Sequence, residues 1–367
     1  RRAACAAINE REITMQSNHQ SRPVAARATA LTVSLSFAIG AIGLGALATA
    51  ESAVAAEKVQ WNLSVWGKRR AFTEGAEAVA AYVAEKSGGD FTITMNYGTL
   101  SKPRENLDGI SLGAFEMAMF CASYHPDKNR AITVLELPML PIAAHADQEK
   151  ADMAIYNHPY VKKEMAKWNA QVLMSAALPQ YEFMGKGNPP LKLADYNGMR
   201  VRALGGIGKA MAVIGAVPTT VTAPETYRAI ESGTVDAAAF AFYSHFSYKI
   251  NEVSTWRTTN LSPGSVNCPT VMNIDAYNAL PDEYKTMLKD AIPVGYKALE
   301  KAYAASITKF EPVADKAGIQ KITYSDEELA EFREKAAKPV WEAWVKEQTA
   351  AGVPAQELLD IVLNATK

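Results

Sequence analysis

The sequence predicts an α/β protein of two lobes, and three observations carry that prediction. The chain has 367 residues, 49% of them hydrophobic, whereas a single core stops growing near ~250–300 residues. Runs that alternate apolar and polar residues are followed by runs with apolar residues three and four apart, which is strand and then helix. That series starts twice. From Asp282 to about Ala317 the chain turns rich in Ala, Lys, Glu and Leu. This stretch reads as one long helix, or two collinear ones with a kink at Pro293.

The first series opens on "VQWNLSVW". Val59, Trp61, Leu63 and Val65 point one way and Gln60, Asn62 and Ser64 the other, as in a strand. "TEGAEAVAAYVAEKSGG" follows, with Ala76, Val79, Ala80 and Val83 at helical spacing and a double-glycine stop. "FTITMNYG" alternates again. Strand, helix and strand with short links require a parallel pair. "RENLDGISLG" reads as a helix, "EMAMFC" as a buried strand, "HADQEKADMAIYNHPYVKKEMAKW" as a helix interrupted near Pro159, and "AQVLMSAAL" as a strand. The second series begins at "MRVRAL", a strand, and continues with the helix "GIGKAMAVIGA", the strand "VPTTV", the helix "PETYRAIESG" with Pro224 near its first turn, and the strand "VDAAAFAF". "DEELAEFREKAAKPVWEAWVKEQTAAG" and "PAQELLDIVLNATK" are amphipathic helices. Ligands of open α/β sheets bind outside the carboxyl ends of the strands. With two lobes, that places a site in the cleft between them.

Composition excludes several functions. A formal net charge of −1 gives no broad basic field for nucleic acid. The histidines at 19, 125, 145, 158 and 245 lack metal-ligand spacing, and no catalytic H-E-x-x-H, G-x-S-x-G or cysteine–histidine signature occurs. "GGIGKAM" departs from a phosphate loop, since Ala203 stands where the first glycine belongs and Ala210 where Ser or Thr does. No cofactor, metal or catalytic residue is expected. Residues 1–56 read as a stretch upstream of Met15, then a leader: Arg22 and Arg27, the apolar run "ALTVSLSFAIGAIGLGALATA", and small residues Ala53 and Ala55 at the exit. The alternative is an uncleaved membrane anchor. Cleavage would make Glu57 about the first mature residue, in a soluble exported protein of net charge −3. Cys121 and Cys268 then remain. Export would let them pair, but their apolar surroundings favour two buried free thiols.

"GMRVRALGG", from Gly198 to Gly206, is the stretch that asks for a ligand. Arg200 and Arg202 alternate with apolar residues and share one strand face. Gly205, Gly206 and Gly208 follow at once, as where the backbone must come close to something.

The chain resembles the extracytoplasmic solute receptors of TRAP transporters, the DctP-like family. The resemblance rests on "EGAEAVAAYVAEKSGGDFTITMNYG", "RENLDGISLGAFEMAM", "VLELPMLP", "LADYNGMRVRALGG" and "APETYRAIESGTVDAA", in that order over 57–367. It implies a periplasmic-binding-protein-like fold, each lobe a β-sheet flanked by helices, with the long helix spanning both. Residues 57–179 and 268–307 would form lobe one, and 180–267 and 308–367 lobe two. It also implies a periplasmic protein that closes on a small organic acid, small and large membrane permease subunits as partners, and no catalysis.

In this family the second arginine of the G-x-[KR]-[IVL]-R stretch binds the ligand carboxylate, which here is Arg202. A guanidinium fits a carboxylate bidentately and stays charged when desolvated. The alternative for Arg202 is an ion pair bracing its lobe. Arg200 is expected to reach solvent or an acidic neighbour. The family's ligand-binding asparagine is replaced at or near Phe240, followed by Phe242, Tyr243, His245 and Phe246. Trp66, Phe120 and Tyr124 come from the opposite lobe, and Tyr181 stands near where some members place a second arginine. The expected lining set is Arg202, Phe240, Tyr181, Trp66, Tyr124, Phe242, Cys121 and Tyr243, against the alternative that several of these rings are core. His125 is a candidate beside Tyr124, Asn267 and Cys268 would edge the pocket, and Glu182 would partner a basic residue. One arginine among rings suits a monocarboxylate with an aromatic or apolar body. A zwitterion with an onium group is the alternative, and a C4-dicarboxylate would leave its second charge poorly met. Two further readings remain: a two-lobed enzyme acting on organic acids, and a receptor serving a sensor or another transporter class.

Overall fold

The structure is a computed structural model and describes residues 58–142 and 144–365. The expected leader lies outside the described residues. Eleven strands occur among them: β1 (Val59–Val65), β2 (Phe91–Tyr97), β3 (Met117–Met119), β4 (Ala170–Ser175), β5 (Tyr181–Gly185), β6 (Arg200–Arg202), β7 (Val217–Thr219), β8 (Ala237–Ala241), β9 (Trp256–Thr258), β10 (Pro269–Asn273) and β11 (Gln320–Ile322). They form two sheets, in the orders β2-β1-β3-β10-β4 and β11-β9-β5-β8-β6-β7. Helices flank both, as the sequence predicts. β1 pairs with β2 in parallel, which follows from the short strand–helix–strand links.

Each sheet holds one reversed strand. β10 is antiparallel to β3 and β4, and β5 is antiparallel to β8 and β9. These are the strands by which the chain changes sheets: β4 leads into β5, and the stretch after β9 leads into β10. A strand arriving directly from the facing sheet enters from the cleft edge and must run against its neighbours. The two crossing segments are bonded to each other, Ala176 N–H to the Cys268 carbonyl at 2.9 Å and Tyr181 N–H to that of Gly264 at 2.9 Å. The lobe bounds expected from the sequence put a crossing near 179/180 and another near 267/268; what no local pattern revealed is β9 and β10 themselves, the one a ring followed by two polar residues and the other a run of five residues without clear alternation.

The helix His145–Asn157 ends before Pro159, which opens its own helix to Ala166. The long helix runs from Asp282 to Lys316 through Pro293 and Pro312, one helix rather than two. It packs on the helix Glu74–Lys86 beside the first sheet and on Phe242–Ser247 beside the second, so it spans both lobes. Phe91 under Trp61 and Tyr284 and Phe183 against Tyr196 anchor the two cores. No helix among the described residues is long and apolar enough to cross a membrane.

The free-thiol expectation fails. Cys121 and Cys268 form a disulfide. The antiparallel approach of β10 to β3 brings them together: Phe120 N–H bonds the Pro269 carbonyl and Ala122 N–H that of Asn267. The pairing bridges 147 residues of sequence and depends on the crossing strand that the pattern did not reveal.

Candidate functional site

Arg202 ends β6, between β7 and β8. It is 1% exposed. Its Nε donates to the Val221 carbonyl at 3.0 Å and one terminal nitrogen to that of Ala239 at 2.7 Å. The guanidinium sits 4.0 Å from the Phe240 ring centre. No carboxylate among the described residues pairs with it. A buried guanidinium without a counter-ion is costly, so the cleft holds a cation in want of an anion. Arg200, on the same strand, is half-exposed and forks onto Asp236, Nη2 to Oδ1 at 2.5 Å. The alternating pattern made the two arginines equal. The difference arises because Arg200 starts the strand at the sheet's rim, where Asp236 enters β8.

Around Arg202 lies a cavity of about 20 Å³, room for roughly one water. The cleft is shut, and Ala223 N–H donates to the Tyr124 hydroxyl at 3.0 Å across it. The structure brings Trp66, Cys121, Tyr124, Tyr181, Phe240 and Tyr243 to the cavity wall with Arg202. It does not bring Phe242. That ring lies 4.9 Å from the Arg257 guanidinium and edge-on to Phe246. β8 ends at Ala241 and a helix begins at Phe242, so the two-residue period that would align Phe242 with Phe240 is lost.

Other candidates also lie elsewhere. Phe246 stacks on Phe310, and Phe120 is core against the His125 ring. His245 bonds the Glu182 carbonyl oxygen at 3.0 Å. Glu182 has no basic partner among the described residues: its carboxylate is met by the Thr258 and Ser262 hydroxyls and the N–H groups of Leu261 and Ser262. Val266 and Cys268 edge the cavity, while the Asn267 side chain turns inward to Tyr156 and Asp152. A larger groove of about 490 Å³ beside the edge strand β4 carries only the exposed charges of Lys162 and Lys289.

Sequence reading missed Arg70, Phe72 and Tyr248, which also line the cavity. The signal was present. "KRR" follows two residues after β1, at the carboxyl end where such sheets bind ligands.

Gly205 and Gly206 answer to the facing lobe, whereas Gly208 packs on Ala203 and Pro218 of its own. A Cβ on Gly206 would lie 2.3 Å from the Glu136 carbonyl oxygen and 2.8 Å from Pro138. Gly206→Ala is therefore expected to keep the fold but hold the lobes apart, weakening ligand binding by about 10–100-fold, on the scale of ~1–3 kcal/mol for overpacking. Calorimetry with small-angle scattering checks this; unchanged affinity and compaction would refute the close approach.

Glu136 is buried, and its Oε1 accepts from the N–H groups of Ser123 and Asn267 at 3.2 and 3.0 Å. Oε2 faces Gly205 without a hydrogen-bond partner. Burial pushes its pKa from 4.5 up to about 8, and that of Asp152 from 3.8 up to about 7. Burial pulls His125 down to about 4, with Lys128 adding to the shift, and His245 down to about 3. The two carboxyls stabilise the fold below their unfolded values, and that stability is lost as pH rises through about 7 and 8. The histidines contribute above 6.5 and lose it as pH falls through about 4 and 3. Stability is expected to peak near pH ~5 and to fall towards pH 8, and Glu136→Gln to remove up to ~1.4 kcal/mol per pH unit of that alkaline decline. Denaturant melts from pH 4 to 9 check it; an unchanged slope in the variant would contradict the buried acid.

Residues 64–348 match the model of the bacterial extracellular solute-binding proteins, family 7, called DctP. The chain is 26% identical over 309 residues to the monocarboxylate 2-oxoacid-binding periplasmic protein all3028 of Nostoc sp. strain PCC 7120, covering 78% of this chain and 83% of that one. A TRAP solute-binding protein from Rhodoferax ferrireducens T118, solved with copurified benzoate, superposes with a TM-score of 0.75 at 20% identity over 84% of this chain and 97% of that one. One from Roseobacter denitrificans with bound β-D-glucuronate gives 0.69 at 23% identity, covering 83% and 99%. With the matched region, the two-lobed fold and a cleft built around a buried arginine, the chain belongs to the DctP family, the periplasmic solute-binding proteins of TRAP transporters, and is a binding protein rather than an enzyme.

Proposed function

We propose that this protein captures a carboxylate with an aromatic or apolar body and delivers it to the small and large subunits of a TRAP permease. The observation that carries the reading is Arg202, a buried guanidinium without a counter-ion, seated on Phe240 in a cleft walled by rings. The benzoate-bound relative and the 2-oxoacid-binding one support it. Arg70 on the same wall weighs against an onium ligand, which it would repel. The ligand enters when the lobes, 57–179 with 268–307 and 180–267 with 308–367, swing apart about the bonded crossing segments, and closure expels water around the acid. Export through a cleaved leader places this receptor in the periplasm.

A thermal-shift screen of protein starting at Glu57 tests the reading, with benzoate, a branched 2-oxoacid, glucuronate and succinate. An acid at ~100 times its Kd adds about 2.7 kcal/mol. The reading expects benzoate or the 2-oxoacid to give the largest shift. A larger shift with glucuronate or succinate would overturn the ligand class.

A further inference from the structure

The cavity wall has a second polar pole. Arg70 follows β1 and stacks on three rings, 4.6 Å from Phe72, 5.5 Å from Tyr248 and 5.8 Å from Trp66. Among the described residues its guanidinium bonds only carbonyls of its own loop, those of Trp66 at 2.9 Å and Lys68 at 2.8 Å. No carboxylate among the described residues pairs with it. Beside it, the Trp66 Nε1–H and the Tyr248 hydroxyl are buried and lack hydrogen-bond partners among the described residues. Buried donors are normally satisfied, and two unsatisfied ones next to an unpaired cation call for acceptor oxygens. Gly67, at φ +80°, lets this pole form: a Cβ there would lie 3.2 Å from Arg70 Nη1 and 3.4 Å from the Tyr248 hydroxyl.

The two poles face each other through a ladder of rings. Arg202 lies on Phe240, Phe240 stacks on Tyr248 at 5.8 Å, and Tyr248 lies under Arg70. A flat ligand parting that ladder would touch one guanidinium at each end.

We infer that Arg70, with Trp66 Nε1 and the Tyr248 hydroxyl, determines specificity by binding a second acceptor oxygen at the end of the ligand away from Arg202. The inference rests on the carboxylate reading above and narrows it to acids with an oxygen substituent remote from the carboxylate. It also changes the electrostatic argument against diacids, since a second carboxylate would meet a cation.

Calorimetry with benzoate, 3-hydroxybenzoate and benzene-1,3-dicarboxylate tests it on wild type, Arg70→Met and Tyr248→Phe, with melting curves to verify folding. Wild type is expected to bind the two substituted acids at least about tenfold tighter than benzoate, as a charge-assisted hydrogen bond provides. Arg70→Met should erase that preference and leave benzoate within about threefold, and Tyr248→Phe should reduce it in part. If wild type binds benzoate without preferring the substituted acids, or Arg70→Met weakens all three acids alike, the inference is wrong and the carboxylate reading stands. If wild type binds none of the three, the inference is wrong, and the carboxylate reading then rests on the 2-oxoacid of the thermal-shift screen and falls if that acid fails too.

Discussion

Arg202→Met is expected to lose ligand binding by about 10²–10³-fold while the ligand-free protein stays folded. Truncating one partner of a buried, hydrogen-bonded charge pair costs ~2–5 kcal/mol, much of it from stranding the other charge. Here the stranded charge would be the ligand carboxylate, shut in a cleft whose wall around Arg202 is made of rings and short apolar side chains, with Arg70 at the other end of the ring ladder. Without ligand the balance differs. The variant gives up two hydrogen bonds to the carbonyls of Val221 and Ala239, and it also removes an unpaired buried cation. The two changes oppose each other, so the ligand-free melting temperature should move by only a few degrees. Arg202→Lys keeps the charge but not the planar fork, and should fall between wild type and Met. Titration calorimetry beside melting curves separates these effects. A folded Met variant that binds within threefold of wild type would show that Arg202 only braces its lobe.

The second large effect concerns Cys121–Cys268. A cross-link closing 147 residues restricts the unfolded chain by about 5 kcal/mol in the chain-entropy account. The bond also ties the strand leaving β3 to the crossing segment that enters β10, directly on the cavity wall. The Cys121→Ala, Cys268→Ala double variant should therefore melt about 10 °C lower, taking roughly 2 °C per kcal/mol for a protein of this size. Dithiothreitol should lower wild type towards the same value and leave the variant unmoved. Equal melting temperatures for oxidised wild type and the variant would contradict the assignment.

The sequence reading fared best where a single period was uninterrupted. The alternation of Val59 to Val65, the spacing of Ala76 to Val83 and the composition of Asp282 to Lys316 each correspond to one element of the structure. It fared worst where pairing is long-range. β5 and β10 are reversed because each crosses from the other sheet, and no local pattern encodes a crossing. The disulfide and the inward turn of Asn267 depend on that same segment. The site was legible to the extent that chemistry is rare: an arginine between apolar residues and before three glycines stands out. The aromatic wall was harder, because a ring on a cavity and a ring in a core have the same sequence signature. Phe240 and Phe242 show this, two residues apart on either side of a strand end. Arg70 was overlooked because "KRR" resembles a solvated turn, and only the three rings that gather around it show otherwise.

The central claim is that the unpaired charge of Arg202 is met by the ligand. Its most direct test is a crystal structure with the tightest-binding acid from the screen. The account predicts the ligand carboxylate forked on the Arg202 guanidinium at about 2.7–2.9 Å, with the body of the acid against Phe240. A carboxylate held elsewhere, with Arg202 still unpaired, would contradict it.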